Sequence, residues 1–185
     1  IFLFPILRME DNGWRGALDP VDVDLFYRNY TAHIIMWAKL AEKLAIPIMS
    51  IGSELSSMDV HTDRWRALIA QVRKVYRGKL TYSANWDHYS NVNFFDALDY
   101  AGVTGYFELQ DKNADVTVRP STEELVHGWR EVYVKRMRWQ HRVKKPIIFT
   151  ETGYLSQQGA AARPWDEGAQ RPIDLELQRR LYASF

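Results

Sequence analysis

The sequence predicts an α/β protein built on one parallel sheet. Strand-like and helix-like runs alternate along the 185 residues. The strand-like runs over residues 46–52 and 146–151 are short, rich in β-branched residues and have proline near their starts, a pattern typical of buried parallel strands. The helix-like runs carry apolar residues at spacings of three and four. Repeated strand–helix units of this kind favour a parallel sheet.

The first half of the chain contains two predicted strands and two predicted helices. A strand over residues 1–7 precedes a polar loop, and Asp19 with Pro20 predicts the N-cap and first turn of a helix. The inner stripe of that helix is predicted to contain Phe26, Tyr30, Ile34, Trp37, Ala41 and Leu44. A strand over residues 46–52 and a helix over about 62–76 follow. The inner face of this second helix is predicted to contain Trp65, Leu68, Ile69, Val72 and Val75.

The second half continues the alternation. Further strands are predicted over residues 79–86, 99–107 and 146–151. A short helix is expected near residues 92–98. Ser121 and Glu124 form a capping box that opens a helix to about residue 142. Its inner face is predicted to contain Leu125, Trp129, Val132, Tyr133 and Trp139. Asp174 is predicted to cap a last helix.

Five strand–helix units can be counted, whereas a closed (β/α)8 barrel needs about 200 residues or more. We therefore expect a partial (β/α)8 TIM barrel that contains strands three to seven and lacks strands one, two and eight. The chain begins within a strand pattern and ends within a helical pattern, so we expect it to be part of a longer protein. No linker divides it, which predicts a single barrel fragment over residues 1–185. A doubly wound open sheet is the structural rival, but the glycine-rich phosphate loop typical of that fold is missing.

Glu54 and Glu151 each close one of the predicted strands. In barrel enzymes the carboxyl ends of the strands carry the chemistry, and two carboxylates are the minimum equipment for cutting a glycosidic bond. A single glutamate in such a position is more often an ion-pair partner or a helix cap. Here two further predicted strands lie between the two glutamates. A closed barrel would therefore place Glu54 and Glu151 on opposite sides of its open end. The pair therefore indicates a single-domain catalytic barrel fragment.

Composition excludes several other classes of function. The chain is 46% apolar and 25% charged with a formal net charge of +1, which gives no electrostatic case for binding nucleic acid or an anionic membrane. No apolar run is long enough to span a bilayer. The absence of Cys excludes thiol catalysis, and the five His lack metal-ligand spacing. No cofactor or metal is implied, and cellular location is left unknown.

Six short segments occur in order along the chain and together form a family pattern. They are Gly13–Gly16, Ile51–Leu55, Arg64–Ile69, Leu80–Trp86, Phe149–Tyr154 and, downstream, Gly159–Ala161 with Pro164–Asp166. This set resembles glycoside hydrolase family 113, the clan A (β/α)8 enzymes that act chiefly on β-mannan. The resemblance implies a retaining β-mannanase in which Glu54 is the general acid/base and Glu151 the nucleophile. Ser53 stands where clan A usually has Asn, which implies that another group binds the sugar 2-hydroxyl.

Several residues near the predicted strand ends are candidates for substrate binding. Tyr106 could donate a hydrogen bond to the nucleophile, although a tyrosine with its hydroxyl in water fits the same pattern. Asn85 could bind a sugar hydroxyl or form a turn, and Trp86 could stack on a sugar ring. Trp14 and Arg15 are predicted to line the cleft, with Trp14 alternatively covering the barrel end.

Two more positions are weaker candidates. Trp165, in the loop after the last predicted strand, could form a distal sugar platform, and His88 could line the cleft. Two alternatives to a β-mannanase stay open. One is a barrel that binds carbohydrate or scaffolds an assembly without catalysis, and the other is a retaining β-glycosidase of different glycan specificity. In each case the expected partner is an oligo- or polysaccharide, and the oligomeric state is left unknown.

Overall fold

The structure is a computed structural model that describes residues 1–185. It contains one five-stranded sheet with the strands in chain order. The strands are β1 (Phe2–Leu3), β2 (Ile48–Ser53), β3 (Lys79–Ala84), β4 (Ala101–Thr104) and β5 (Ile147–Glu151). Neighbouring strands from β1 to β4 pair in parallel. The predicted α/β partial-barrel fold class is confirmed, because parallel strands that follow one another in space and in sequence are the repeating unit of that fold.

The chain also contains four α-helices and four short 3-10 helices. The α-helices are α1 (Val23–Lys43), α2 (Thr62–Arg73), α3 (Thr122–Val143) and α4 (Leu175–Ser184). The 3-10 helices are Arg15–Ala17, Ser56–Met58, Tyr89–Asn91 and Phe95–Ala97. None of the helices combines the length and the apolar composition needed to cross a bilayer.

The residues group into two compact units. The first contains Ile1–Thr104 and Gln140–Thr150, and the second contains Gly105–Trp139 and Glu151–Phe185. In the first unit, the Trp65 ring stacks on Phe94 with centroids 5.1 Å apart and contacts Tyr82 at 5.0 Å. All three rings are fully buried, and burial of large apolar side chains contributes about 1.5–3 kcal/mol each. This aromatic cluster joins α2 to β3.

The opposite face of the same sheet is lined by small and hydroxyl-bearing side chains. Residues paired in register share a face of a parallel sheet, and Ser50 pairs with Thr81, Ser53 with Ser83, and Ser83 with Gly102. This surface, called the hydroxyl face below, consists of Ser50, Ser53, Thr81, Ser83, Gly102, Thr104 and Thr150. Apart from Thr150 its residues are buried. Some of the buried hydroxyl groups form hydrogen bonds with each other across the face, as those of Ser83 and Thr150 do.

The second unit is organised around α3 and α4. The predicted capping box is confirmed: the Ser121 N–H donates to the Glu124 carboxylate at 2.7 Å, and the Glu124 N–H donates to the Ser121 hydroxyl at 3.2 Å. The Arg136 guanidinium lies 4.4 Å from the centre of the Phe107 ring, and burial lowers the pKa of Arg136 to about 10. The predicted cap of α4 is also confirmed, since the Asp174 carboxylate accepts from the Leu177 N–H at 2.8 Å.

Two predicted element boundaries near the start of the chain are wrong. Regular pairing of the first strand covers only Phe2–Leu3 rather than residues 1–7. Pro5 lies two residues after Leu3, and proline has no N–H to donate to a ladder. The N-cap of α1 is Asp22 rather than Asp19, because the Asp22 carboxylate accepts from the Leu25 N–H at 2.9 Å.

Other corrections concern length and burial. The short helix expected near residues 92–98 is a single 3-10 turn at Phe95–Ala97. Strand β4 is shorter than the predicted 99–107. Leu44 and Tyr133, both predicted to face inward, are 59% and 63% exposed. Leu44 lies at the C-cap of α1, where the stripe no longer faces the core.

Candidate active site

The end of β2 is irregular in a way that sets the direction of Glu54. The pairing of β2 with β3 shifts register between Ser50 and Ser53, as in a β-bulge, and bulges commonly re-aim side chains beside active sites. Glu54 follows directly with a φ of 51°, in the left-handed region that non-glycine residues rarely adopt. Its N–H donates to the Ser83 carbonyl at 2.8 Å. Such strained backbone is kept only where the surroundings hold it firmly.

Arg15 holds both the backbone and the side chain at this position. Its Nη2 donates to Oε2 of Glu54 at 2.8 Å, and its Nε donates to the Ser53 carbonyl at 3.1 Å. Glu54 is 8% exposed, so this ion pair is largely shielded from water and stronger than a surface pair. The adjacent Trp14 is 48% exposed. Its ring lies over Gly16, and a Cβ atom at residue 16 would lie only 2.2 Å from a carbon of that ring.

The loop after β3 carries Asn85 and Trp86. The Asn85 side-chain oxygen accepts from the Trp86 N–H at 2.8 Å, and the Asn85 carbonyl accepts from the N–H groups of His88 and Tyr89. Asn85 therefore builds the turn at this strand end while remaining 7% exposed. Trp86 is half-buried. His88 lies beside Asp87, with Nδ1 2.6 Å from the carboxylate.

In the second unit, Glu151 is the last residue of β5 and is half-buried. Its carbonyl accepts from the Gly105 N–H at 2.7 Å, and the Thr152 hydroxyl donates to the Gly105 carbonyl at 3.4 Å. A Cβ atom at Gly153 would lie 3.8 Å from a carbon of the Tyr106 ring. These contacts bring Tyr106 next to the segment that carries Glu151. Trp165, 47% exposed, lies farther along the same unit.

Two residues of this region were not predicted from sequence. Tyr82 accepts from the Leu55 N–H, directly after Glu54, at 2.9 Å. Asp59, at the end of the 3-10 turn that follows Glu54, is 2% exposed. Tyr82 has the sequence signature of a core strand residue, and Asp59 lies in a polar run, so neither pattern signals a role beside Glu54.

Two other features of the structure lie outside these strand ends. An apolar groove of about 810 Å³ runs between residues 5–8 and α1, and none of the candidate site residues lines it. The structure brings together no group of three or more His, Cys, Asp or Glu side chains that could hold a metal ion.

Comparison with known proteins identifies relatives among glycoside hydrolases. The β-mannanase AaManA of family 113 from Alicyclobacillus acidocaldarius, solved in complex with ManMIm, is 25% identical with a TM-score of 0.83, and the match covers 99% of this chain and 56% of that chain. A family 113 β-1,4-mannanase solved as a complex is 28% identical with a TM-score of 0.78, at the same coverage. This chain therefore spans a little more than half the length of these mannanases.

More distant likeness shows only the fold. A β-glucuronidase from Bifidobacterium dentium, complexed with coumarin-3-O-glucuronide, is 16% identical with a TM-score of 0.59, covering 86% of this chain and 25% of that one. No curated protein matches the chain. The family comparison is decisive, because glycoside hydrolase family 113 matches residues 1–185. The chain belongs to glycoside hydrolase family 113.

Proposed function

We propose that this chain carries the catalytic carboxylates of a retaining glycoside hydrolase that cleaves β-1,4-mannosidic linkages in β-mannan-type polysaccharides. Family membership and the likeness to two β-mannanases support the substrate class. One structural observation carries the proposal. Glu54 ends a barrel strand on strained backbone and is held there by Arg15, as expected of a pre-organised catalytic group.

In the proposed mechanism, the two glutamates act on opposite sides of the scissile bond. Glu54 donates a proton to the glycosidic oxygen while the Glu151 carboxylate attacks C1, giving a glycosyl ester and a free leaving group. Glu54 then takes a proton from water, and the water oxygen attacks C1. The bond from C1 to Glu151 breaks, and the released sugar has the same configuration at C1 as the substrate. A retaining pair needs carboxyl groups about 5–5.5 Å apart, a separation that a crystal structure of a glycan complex would measure.

Neighbouring side chains would serve this chemistry in distinct ways. Tyr106, beside the segment of Glu151, is proposed to donate a hydrogen bond to the nucleophile and keep it ionised. Asn85 and Trp86 are proposed to contact the sugar, and Trp14 to offer an exposed stacking surface. Arg15 is proposed to orient the Glu54 carboxyl group.

The experiment separates the two glutamates by role in the whole natural protein that carries this chain. Glu54→Gln, Glu151→Gln and the control Glu131→Gln, at an exposed helix position, are assayed on an aryl β-mannoside with an activated leaving group. We expect Glu54→Gln to accumulate the glycosyl-enzyme, since an activated leaving group needs no acid but the second step lacks its base. Azide needs no base, so it should restore turnover with retained configuration.

Glu151→Gln should form no glycosyl-enzyme with any leaving group, and the control should behave as wild type. Rescue of Glu151→Gln by azide with retained configuration, or rescue of neither variant, would overturn the assignment. A barrel that only binds carbohydrate gives a different result. In that case wild type has no hydrolytic rate for either substitution to change.

A further inference from the structure

A tryptophan ring is packed against a glycine in the 3-10 turn that carries Arg15. Trp14 directly precedes the turn Arg15–Ala17 and is half-exposed, whereas Gly16 in the middle of the turn is buried. A Cβ atom at residue 16 would lie 2.2, 2.4 and 2.5 Å from three carbons of the Trp14 ring. Carbon atoms in contact normally lie about 3.5–4.0 Å apart. The ring therefore occupies its position only because residue 16 has no side chain.

The backbone of this turn is held in place at two points. The Arg15 guanidinium donates to the Ser53 carbonyl at 3.1 Å and to the Glu54 carboxylate at 2.8 Å. Just after the turn, the Leu18 carbonyl accepts from the Ser57 hydroxyl at 2.6 Å. These hydrogen bonds join the loop that follows β1 to the loop that follows β2, so the turn resists displacement.

A methyl group at residue 16 would therefore move the ring rather than the turn. The Trp14 side chain is half-exposed, so it has solvent to move into. Gly16 does not occupy the left-handed region, so alanine adds no backbone strain there. Gly16→Ala is thus a change that displaces the indole ring while leaving the contacts of Arg15 in place.

The ring lies near the group that is proposed to protonate the leaving group. The turn follows β1 and Glu54 follows β2, and the loops after parallel strands lie at the same end of the sheet. Trp14 is the chain neighbour of Arg15, whose guanidinium contacts the Glu54 carboxylate. The acid gives its proton to the oxygen that departs with the leaving sugar. That sugar therefore lies on the Glu54 side of the scissile bond, within reach of an exposed aromatic ring.

We propose that Gly16 is a specificity-determining residue: by leaving room for the Trp14 ring, it fixes an aromatic surface on which a sugar of the leaving group stacks. Indole rings offer an apolar face of this kind. The inference rests on the proposed role of Glu54 as the acid/base. It adds a preference for glycan chains that continue beyond the cleaved bond over substrates whose leaving group is not a sugar.

The test compares two substrates that differ on the leaving-group side, in the whole natural protein that carries this chain. The leaving group of mannotetraose is a sugar chain, whereas that of β-mannobiosyl fluoride is fluoride, which cannot stack on a ring. We expect Gly16→Ala and Trp14→Ala each to lower kcat/KM for mannotetraose roughly tenfold and to lower it much less for the fluoride. A general loss of folded protein would lower both values equally.

A double-mutant cycle shows whether Gly16 acts through the ring. Trp14→Ala leaves no ring to displace, so adding Gly16→Ala should cause no further loss on mannotetraose. The control Gly168→Ala makes the same change where nothing lies within 4 Å of the new methyl group, and it should match wild type on both substrates. Additive losses in the double variant, or equal losses on the two substrates in a folded Gly16→Ala protein, would overturn the proposal.

The position of the ring can also be measured without turnover. The indole N–H signal of Trp14 in nuclear magnetic resonance spectra, assigned as the signal lost in Trp14→Ala, should shift in Gly16→Ala and stay in place in Gly168→Ala. An unshifted signal in Gly16→Ala would refute the steric argument. A wild-type protein that hydrolyses neither substrate would reject the proposed function. Hydrolysis of both substrates with no loss in Gly16→Ala would reject only the role of Gly16.

Discussion

Glu54 and Asp59 each impose a free-energy cost on the same short loop. Glu54 occupies left-handed backbone, which costs a non-glycine residue about 1–2 kcal/mol, and Asp59 buries a carboxylate. Neither arrangement stabilises the fold by itself. Both are understandable if the loop serves a reaction, because active sites commonly store such costs.

The free-energy cost of burying the ionised Asp59 carboxylate should make the stability of the protein depend on pH. Its folded-state pKa is raised to about 7, above the unfolded value of about 3.9. Protonated Asp59 therefore adds to the free energy of unfolding. This contribution is fully present below about pH 4 and is lost as pH rises through 7. Asp59→Asn should remove this slope and gain stability over wild type, by a few kcal/mol at pH 8. Urea unfolding of both proteins at pH 4, 6 and 8 measures it, and a pH-independent difference would contradict it.

Arg15 offers a test of orientation against substrate binding. Lysine cannot reproduce the planar fork that reaches both the Ser53 carbonyl and the Glu54 carboxylate. We expect Arg15→Lys to lower kcat roughly tenfold to a hundredfold while KM changes little. Steady-state kinetics on mannan oligosaccharides separate the two parameters. A higher KM with unchanged kcat would return Arg15 to the cleft-lining role predicted from sequence.

At the residue scale, sequence patterns predict positions better than partnerships. The strand-end location of Glu54 and Glu151 is confirmed, because β-branched runs report strands directly. The ion pair of Arg15 with Glu54 spans 39 residues, and the bond from Leu55 to Tyr82 spans 27. Contacts at such separations depend on the packed fold, which local patterns do not encode.

At the element scale, β4 is restricted by its close approach to β3. A Cβ at Gly102 would lie 2.5 Å from the Tyr82 carbonyl and 2.6 Å from the Thr81 hydroxyl. We expect Gly102→Ala to destabilise the fold by about 1–3 kcal/mol through overpacking. The control Gly168→Ala adds a methyl where nothing lies within 4 Å, so its effect should stay within about 0.5 kcal/mol. Urea midpoints measure both, and equal midpoints would refute the close-approach argument.

Helix ends show which element features can be predicted. The Ser121–Glu124 box and the Asp174 cap are confirmed because each uses a partner three residues away. At α1 the sequence predicts Asp19 as the N-cap, whereas in the structure the Asp22 carboxylate accepts from the Leu25 N–H. Local chemistry therefore decides that a cap exists, and tertiary structure decides between nearby candidates.

At the scale of the whole molecule, the sheet order makes β1 and β5 the outer strands. Outer strands that lack a partner present backbone N–H and C=O groups to other chains. We expect the 185-residue chain, expressed by itself, to associate in a concentration-dependent way. Light scattering over a dilution series measures this. A monodisperse monomer of 21.7 kDa at all concentrations would mean that these edges are covered.

The hydroxyl face described above also has a thermal consequence. Exposing apolar surface raises the heat capacity of unfolding, whereas exposing polar surface lowers it. The sheet buries serine and threonine at positions that valine, isoleucine or leucine could also occupy. Unfolding therefore exposes less apolar surface area per residue to water. The heat-capacity increment should therefore lie toward the lower end of the usual range of about 12–15 cal/mol/K per residue. A smaller increment flattens the stability curve, and the folded state then loses less free energy on warming or cooling away from its optimum.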